Sequence, residues 1–269
     1  MIRYCFALFF LLTSFGPKKQ KPEKEIKTIM AVFAHPDDES FMSPVLSKYA
    51  MEGHRVFLVL ATNGEKGTRD YTGIPAGAPL AAKRKSEAAC VTEKLGLQPP
   101  VFLDLNDGEL DVDFTGAPLR KKLDSVYKIH KPDVVITWGP EGGYGHVDHR
   151  MVHNVVTELF QSGLSEYPSA LYYSAVSTSQ WQKNNTPGTG LGKFFHSAWK
   201  TVDDRFLTVR IRCSESDVKR SVEALQCHWS QFNKEEMNDI RQWLSQMNFG
   251  DTVYLRPFAG DGKMRYSLF

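Results

Sequence analysis

Between residues 28 and 176, short apolar runs alternate with stretches of helical periodicity, and this alternation restricts the fold more than any other feature of the chain. Ile29-Met30-Ala31-Val32-Phe33 is apolar and partly β-branched, as a buried strand requires. Ser40 to Met51 carries apolar residues at helical spacing and stops at Gly53. The same reasoning predicts a strand over 54–61, a helix over 80–95 ending at Gly96, a strand over 101–105 and a helix over 119–130. A fourth strand follows over 133–138, then a helix over 151–160 and a strand over 170–176. Repeated strand–helix units imply an α/β fold, a doubly wound, mostly parallel Rossmann-like sheet with helices on both faces. The polar stretch 180–196 is expected to lie over a cleft. Residues 206–211 read as a strand, 216–247 as partly helical and 251–269 as extended, a C-terminal cap elaboration (180–269) on a single domain spanning 28–269.

The N-terminus differs in kind. Arg3 precedes the apolar run Cys5–Leu12, then small residues, the order of an export signal cut after Gly16. Residues 17–27 contain five Lys, two Glu and two Pro and read as a solvated linker. Export is therefore expected, with an N-terminal membrane anchor as the alternative and no membrane span once the leader is removed. Lys plus Arg at 33 against Asp plus Glu at 31 is too even a balance for a nucleic-acid partner. After removal of the leader, Cys90, Cys213 and Cys227 remain, with no close pair suited to zinc; they are expected to be core thiols, with one disulfide at most.

Chemistry concentrates at the ends of two predicted strands. The first runs into His35-Pro36-Asp37-Asp38-Glu39, and the fourth into a glycine-rich loop ending in Tyr144-Gly145-His146-Val147-Asp148-His149. Pro36 and three acids also make a good helix start, with Pro36 at the first helical position. That account, however, has no use for His35. Open α/β sheets bind ligands at the carboxyl ends of their strands. An imidazole and one carboxylate can ligate a divalent cation while the neighbouring carboxylate takes a proton from water. His35, Asp38 and one His of the second cluster would supply three ligands and leave one position open. His153, one helical turn after His149, is an alternative third ligand. The glycine fingerprint of a dinucleotide site is absent from the first turn.

These two motifs, in this order and separation, resemble those of the LmbE or PIG-L type metal-dependent deacetylases, which remove acetyl groups from N-acetylglucosamine-containing molecules. Thr62-x-Gly64-Glu65-x-Gly67, Arg84 with Glu87, Asp107-Gly108 and His228-x-Ser230-Gln231 extend the resemblance over roughly 29–231. It implies His35, Asp38 and His149 as metal ligands, Asp37 as general base, and His146 as the group that stabilises or protonates the tetrahedral intermediate. Asp148 would orient His146 or an adjacent imidazole, and Tyr144 would reach the oxyanion. Arg84 and Asp107 would meet sugar hydroxyls; alternatively Arg84 pairs with Glu87 along its helix, and Asp107 forms a turn. Glu39 is expected in a structural first-turn role, Glu65 in a loop contact, and His228 in a supporting or packing role. The implied cofactor is Zn2+, with Fe2+ or another divalent metal as alternatives, and the implied partner is a small amino sugar or glycan. Hydrolysis of another amide or ester, and a non-catalytic glycan-binding relative, are the competing readings. Val147 stands where many relatives have Pro.

Overall fold

The first strand, β1 (Thr28–Phe33), is buried along its whole length and lies inside a seven-stranded sheet, third from one edge. The computed structural model describes residues 25–112, 116–163, 166–183, 188–247 and 252–269, so the stretch read as a leader and most of that read as a linker lie outside the described residues. After β1 come α1 (Ser43–Met51), β2 (Arg55–Thr62), α2 (Ala78–Leu95), β3 (Val101–Leu105), α3 (Ala117–His130), β4 (Val134–Trp138), α4 (Val147–Gln161) and β5 (Ala170–Ser174). The C-terminal third adds α5 (Thr178–Trp181), α6 (Gly190–Ala198), β6 (Val209–Arg212), α7 (Glu215–Leu225), α8 (Lys234–Met247) and β7 (Thr252–Pro257).

The strand order is β3-β2-β1-β4-β5-β7-β6, parallel from β3 to β5. Alternation along β1 sends Ile29, Ala31 and Phe33 to one face, where Val45, Leu46 and Tyr49 of α1 cover them. Met30 and Val32 face the opposite layer, closed by Leu119 and Leu123 of α3 and by Val152 and Val156 of α4. Helices thus cover both faces, as the alternation of runs requires. From β1 the chain winds outward through β2 and β3, then crosses back so that β4 pairs with the other edge of β1. The loops after β1 and β4 therefore part at this reversal and leave a crevice between them.

Three expectations need correction. Pro36 does not begin a helix: Asp37 takes a left-handed backbone conformation, φ 105°, and a short 3-10 turn over Asp38–Phe41 precedes α1. The C-terminal third is more than a cap, because β7 pairs antiparallel with both β5 and β6 and so extends the sheet, while α7 packs on α1 and α2. Cys90 and Cys227 are not separate core thiols but a disulfide joining α2 to the residues just after α7; Cys213 alone of the three is a buried free thiol. α4 also begins earlier than its apolar period suggests, because the His146 side chain caps it by accepting from the Asp148 N–H.

Candidate active site

The crevice at the chain reversal brings the two motifs together. His35 Nδ1 lies 3.2 Å from His149 Nε2, and His149 Nε2 lies 3.1 Å from Asp38 Oδ1. Asp38 Oδ2, 3.6 Å from His35 Nδ1, is taken by other donors: the N–H groups of Ala34 and His35 and the indole Nε1–H of Trp138, at 3.0, 2.9 and 3.1 Å. Oδ1 is thereby turned toward His149.

The outward nitrogens of both rings are also fixed. His149 Nδ1 donates to the Gly142 carbonyl at 3.2 Å, which leaves Nε2 as a lone pair. His35 Nε2 faces Asp107 Oδ1 at 3.1 Å and Asp148 Oδ2 at 3.2 Å, which leaves Nδ1 free. Ligands on a tetrahedral zinc, with bonds of about 2.0–2.2 Å, stand about 3.3 Å apart, which matches the two separations from His149 Nε2, 3.2 Å to His35 Nδ1 and 3.1 Å to Asp38 Oδ1. Electrostatics agree with the geometry. Burial opposes a charge on His35, yet Asp107, Asp148 and Asp38 hold its pKa well above the usual imidazole value, so the cluster favours a cation. Burial likewise opposes ionisation of Asp38, but His149 and His35 hold its carboxyl well below the ordinary range. The residues present fit a divalent cation.

Asp37 stands apart from that triad. Its carboxylate pairs with Arg84 NH2 at 3.0 Å, and its N–H donates to Glu39 Oε2 at 3.0 Å. Burial raises its pKa to about 6, against the pull of Arg84 and with the push of Asp38. The left-handed turn at Asp37 separates adjacent carboxylates into two environments. Glu39 in turn accepts from His228 Nε2 at 2.7 Å and so links the first motif to the C-terminal one.

The other named residues divide. His146, half-buried, and Tyr144 line the same cavity as the cluster, a volume of about 360 Å³. Asp148 orients His35 rather than His146, and its carboxylate also accepts from Gly108 and Leu110 N–H, which fixes the loop after β3. Arg84 does not pair with Glu87; it donates to the carbonyls of Gly64 and Pro36 and to Asp37. Glu87 instead accepts from the backbone and hydroxyl of Ser230. Asp107 accepts from Lys66 N–H and donates its own N–H to Glu65 while facing His35. His153 bonds the Trp138 carbonyl at 2.9 Å and lies outside the cluster. Sequence reasoning missed Trp138, whose ring stacks on His149 at 4.3 Å between centroids while its N–H secures Asp38. Its position as the last residue of β4, directly before the glycine-rich loop, was the available signal.

A doubly wound sheet with two imidazoles and a carboxylate converging at its reversal point defines a class of α/β proteins with a candidate hydrolytic metal centre. Residues 30–160, just under half of the chain, match the family model described as PIG-L: GlcNAc-PI de-N-acetylase. Over 173 residues it is 32% identical to the 1D-myo-inositol 2-acetamido-2-deoxy-alpha-D-glucopyranoside deacetylase of Mycobacteroides abscessus, a match spanning 57% of this chain and 62% of that protein, short of two thirds of its length. A deacetylase 2 of the same name from Catenulispora acidiphila is 29% identical over 279 residues, 87% of this chain and 90% of that one. Among solved structures, the N,N'-diacetylchitobiose deacetylase from Pyrococcus horikoshii resembles it with a TM-score of 0.64 at 21% identity, over 86% of this chain and 84% of that one, a likeness of fold.

These relatives overturn the expectation of export: they are deacetylases of an inositol 2-acetamido-2-deoxyglucopyranoside, and nothing about them indicates export. Among the described residues no helix is long and apolar enough to cross a membrane.

Proposed function

We propose that the chain is a metal-dependent N-deacetylase acting on a small N-acetylglucosamine-type amino sugar conjugate. The observation that carries this reading is the approach of His35 Nδ1 and Asp38 Oδ1 to His149 Nε2, with a second carboxylate, Asp37, held apart from them by Arg84. Those three atoms would hold a divalent cation, zinc or iron, since nitrogen and oxygen donors do not separate the two strongly. A cation bound there would polarise the acetyl carbonyl and lower the pKa of water.

Asp37 is the general base. A carboxyl raised to about 6 remains ionised at neutral pH and is closer in basicity to the proton it must accept than an ordinary Asp. Arg84 fixes its direction. His146 accepts the Asp148 N–H at Nδ1, so Nε2 carries the proton; burial and the neighbouring imidazoles lower its pKa, which suits a neutral hydrogen-bond donor to the oxygen that gains charge. Tyr144 lines the same cavity and offers its hydroxyl to that oxygen; burial raises its pKa and keeps it protonated. Asp148 and Asp107 keep the Nε2–H of His35 engaged. Arg84 and Asp107, both on the cavity wall, meet sugar hydroxyls with the hydrogen-bonding capacity their internal partners leave over.

Asp37→Ala tests the reading. Acetate release is expected to fall by about 10²–10⁴-fold while metal content, measured by elemental analysis, is retained. Full turnover in this variant would remove Asp37 as the base.

A further inference from the structure

The cavity has two chemically different walls. One carries the titratable cluster; the other is built by Phe41, Leu191, Phe195, Trp199, Phe232 and Ile240. Five of these six lie beyond residue 160, where the match to the family model ends, on α6, on α8 and in the segments beside them. The apolar wall begins close to the chemistry: Tyr144, whose ring is 5.5 Å from that of His149, meets Phe195 at 5.4 Å and Trp199 at 6.1 Å. Lys66 and Arg69, on the cavity's polar side with Arg84, pair with Glu109 and Glu236.

Resting on the deacetylase reading, we propose that this wall is a subsite for a hydrocarbon substituent of the amino sugar, an aliphatic or aromatic group carried on the glycosidic oxygen or on the acyl carbon. Apolar surface lining a wet cavity gains only when an apolar group displaces the water from it. A polyol substituent would leave that surface uncovered and would lose hydrogen bonds of its own. A volume of about 360 Å³ suits one sugar with a short chain or a single ring rather than a polymer. α6 and α8 thus set which conjugate is accepted, while the motifs at the ends of β1 and β4 set what is done to it.

The experiment compares kcat/KM of the metal-loaded enzyme for N-acetylglucosamine, its octyl and p-nitrophenyl glycosides, and N-octanoylglucosamine. One series, glycoside or acyl, is expected to exceed N-acetylglucosamine by about tenfold or more, and which one it is places the group on the oxygen or on the acyl carbon. Leu191→Gln, at a partly buried position on α6, is expected to bring that ratio toward one, with circular dichroism confirming the fold. Calorimetric titration of the metal-free wild type with the octyl glycoside and with N-octanoylglucosamine needs no variant, and one of them is expected to bind about tenfold tighter than N-acetylglucosamine. Deacetylation without preference in either series, together with equal affinities, overturns the subsite and leaves the deacetylase reading standing. Preferential binding without turnover of any substrate does the reverse.

Discussion

At the scale of single residues, the site depends on groups that hold other groups. Trp138 is the clearest case, since one side chain both stacks on His149 and donates to Asp38. Trp138→Phe keeps a ring for the stack and removes the N–H. Loss of such a supporting hydrogen bond typically costs 10–100-fold in metal affinity, and competition with a chromogenic chelator is expected to show a weakening of that order; unchanged affinity would mean that the indole only packs. His228 serves the base instead. It is fully buried, which works against its charge, yet Glu39 and Asp37 raise its pKa above the usual imidazole value. A raised folded-state pKa contributes stability below the unfolded value of about 6.5 that disappears as pH rises through the folded one. Urea unfolding of metal-free protein should therefore show the gap between wild type and His228→Gln at its widest near pH 6 and narrowing toward pH 9. A gap independent of pH would show that folding does not shift the titration of His228.

At the scale of elements, the strands with fully apolar runs and the two motifs at their ends were legible in the sequence, because period and residue type are local properties. The fully buried run of β1 and the stop of α2 at Gly96 are examples. The pairing of Arg84 with Asp37, and of His228 with Glu39, was not legible: the partners lie far apart in the chain and only the tertiary fold selects them. The Arg84–Glu87 alternative failed for the same reason, since helical spacing permits a pair that a better-placed carboxylate outcompetes. Asp37's left-handed backbone was hidden behind a residue pattern that also suits an ordinary helix start. The disulfide belongs to this scale, because it clamps α7 to α2 beside the small cluster of Val91, Leu95 and Ala224. Replacing Cys90 and Cys227 with Ala is expected to cost about 2–4 kcal/mol of stability, read as a lowered Tm by differential scanning calorimetry. An unchanged Tm would show that apolar packing alone holds α7.

At the scale of the whole molecule, the proposed ligands come from the segments that follow two neighbouring parallel strands on either side of the chain reversal. A cation held there bridges the outward-winding half, β1 to β3, and the half that begins at β4. Binding to the folded state alone adds about 2.7 kcal/mol at a hundredfold excess over Kd. Zinc should accordingly raise Tm in wild type, a chelator should reverse the rise, and His149→Ala should show almost none of it; an equal rise in that variant would place the cation elsewhere.

The hydrogen bonds that return from the far end of the chain bear on where this protein can be cut. The family match stops at residue 160, yet Glu39 and Glu87, both buried, find His228 and Ser230 some seventy residues later. A fragment ending at residue 160, where the family match ends, would strand two carboxylates in the interior and take away the partner of the residue that supports Asp37. The boundary drawn by resemblance thus runs through the middle of one charge-balanced unit, and the smallest piece able to work as a unit extends past it to the segment that carries His228.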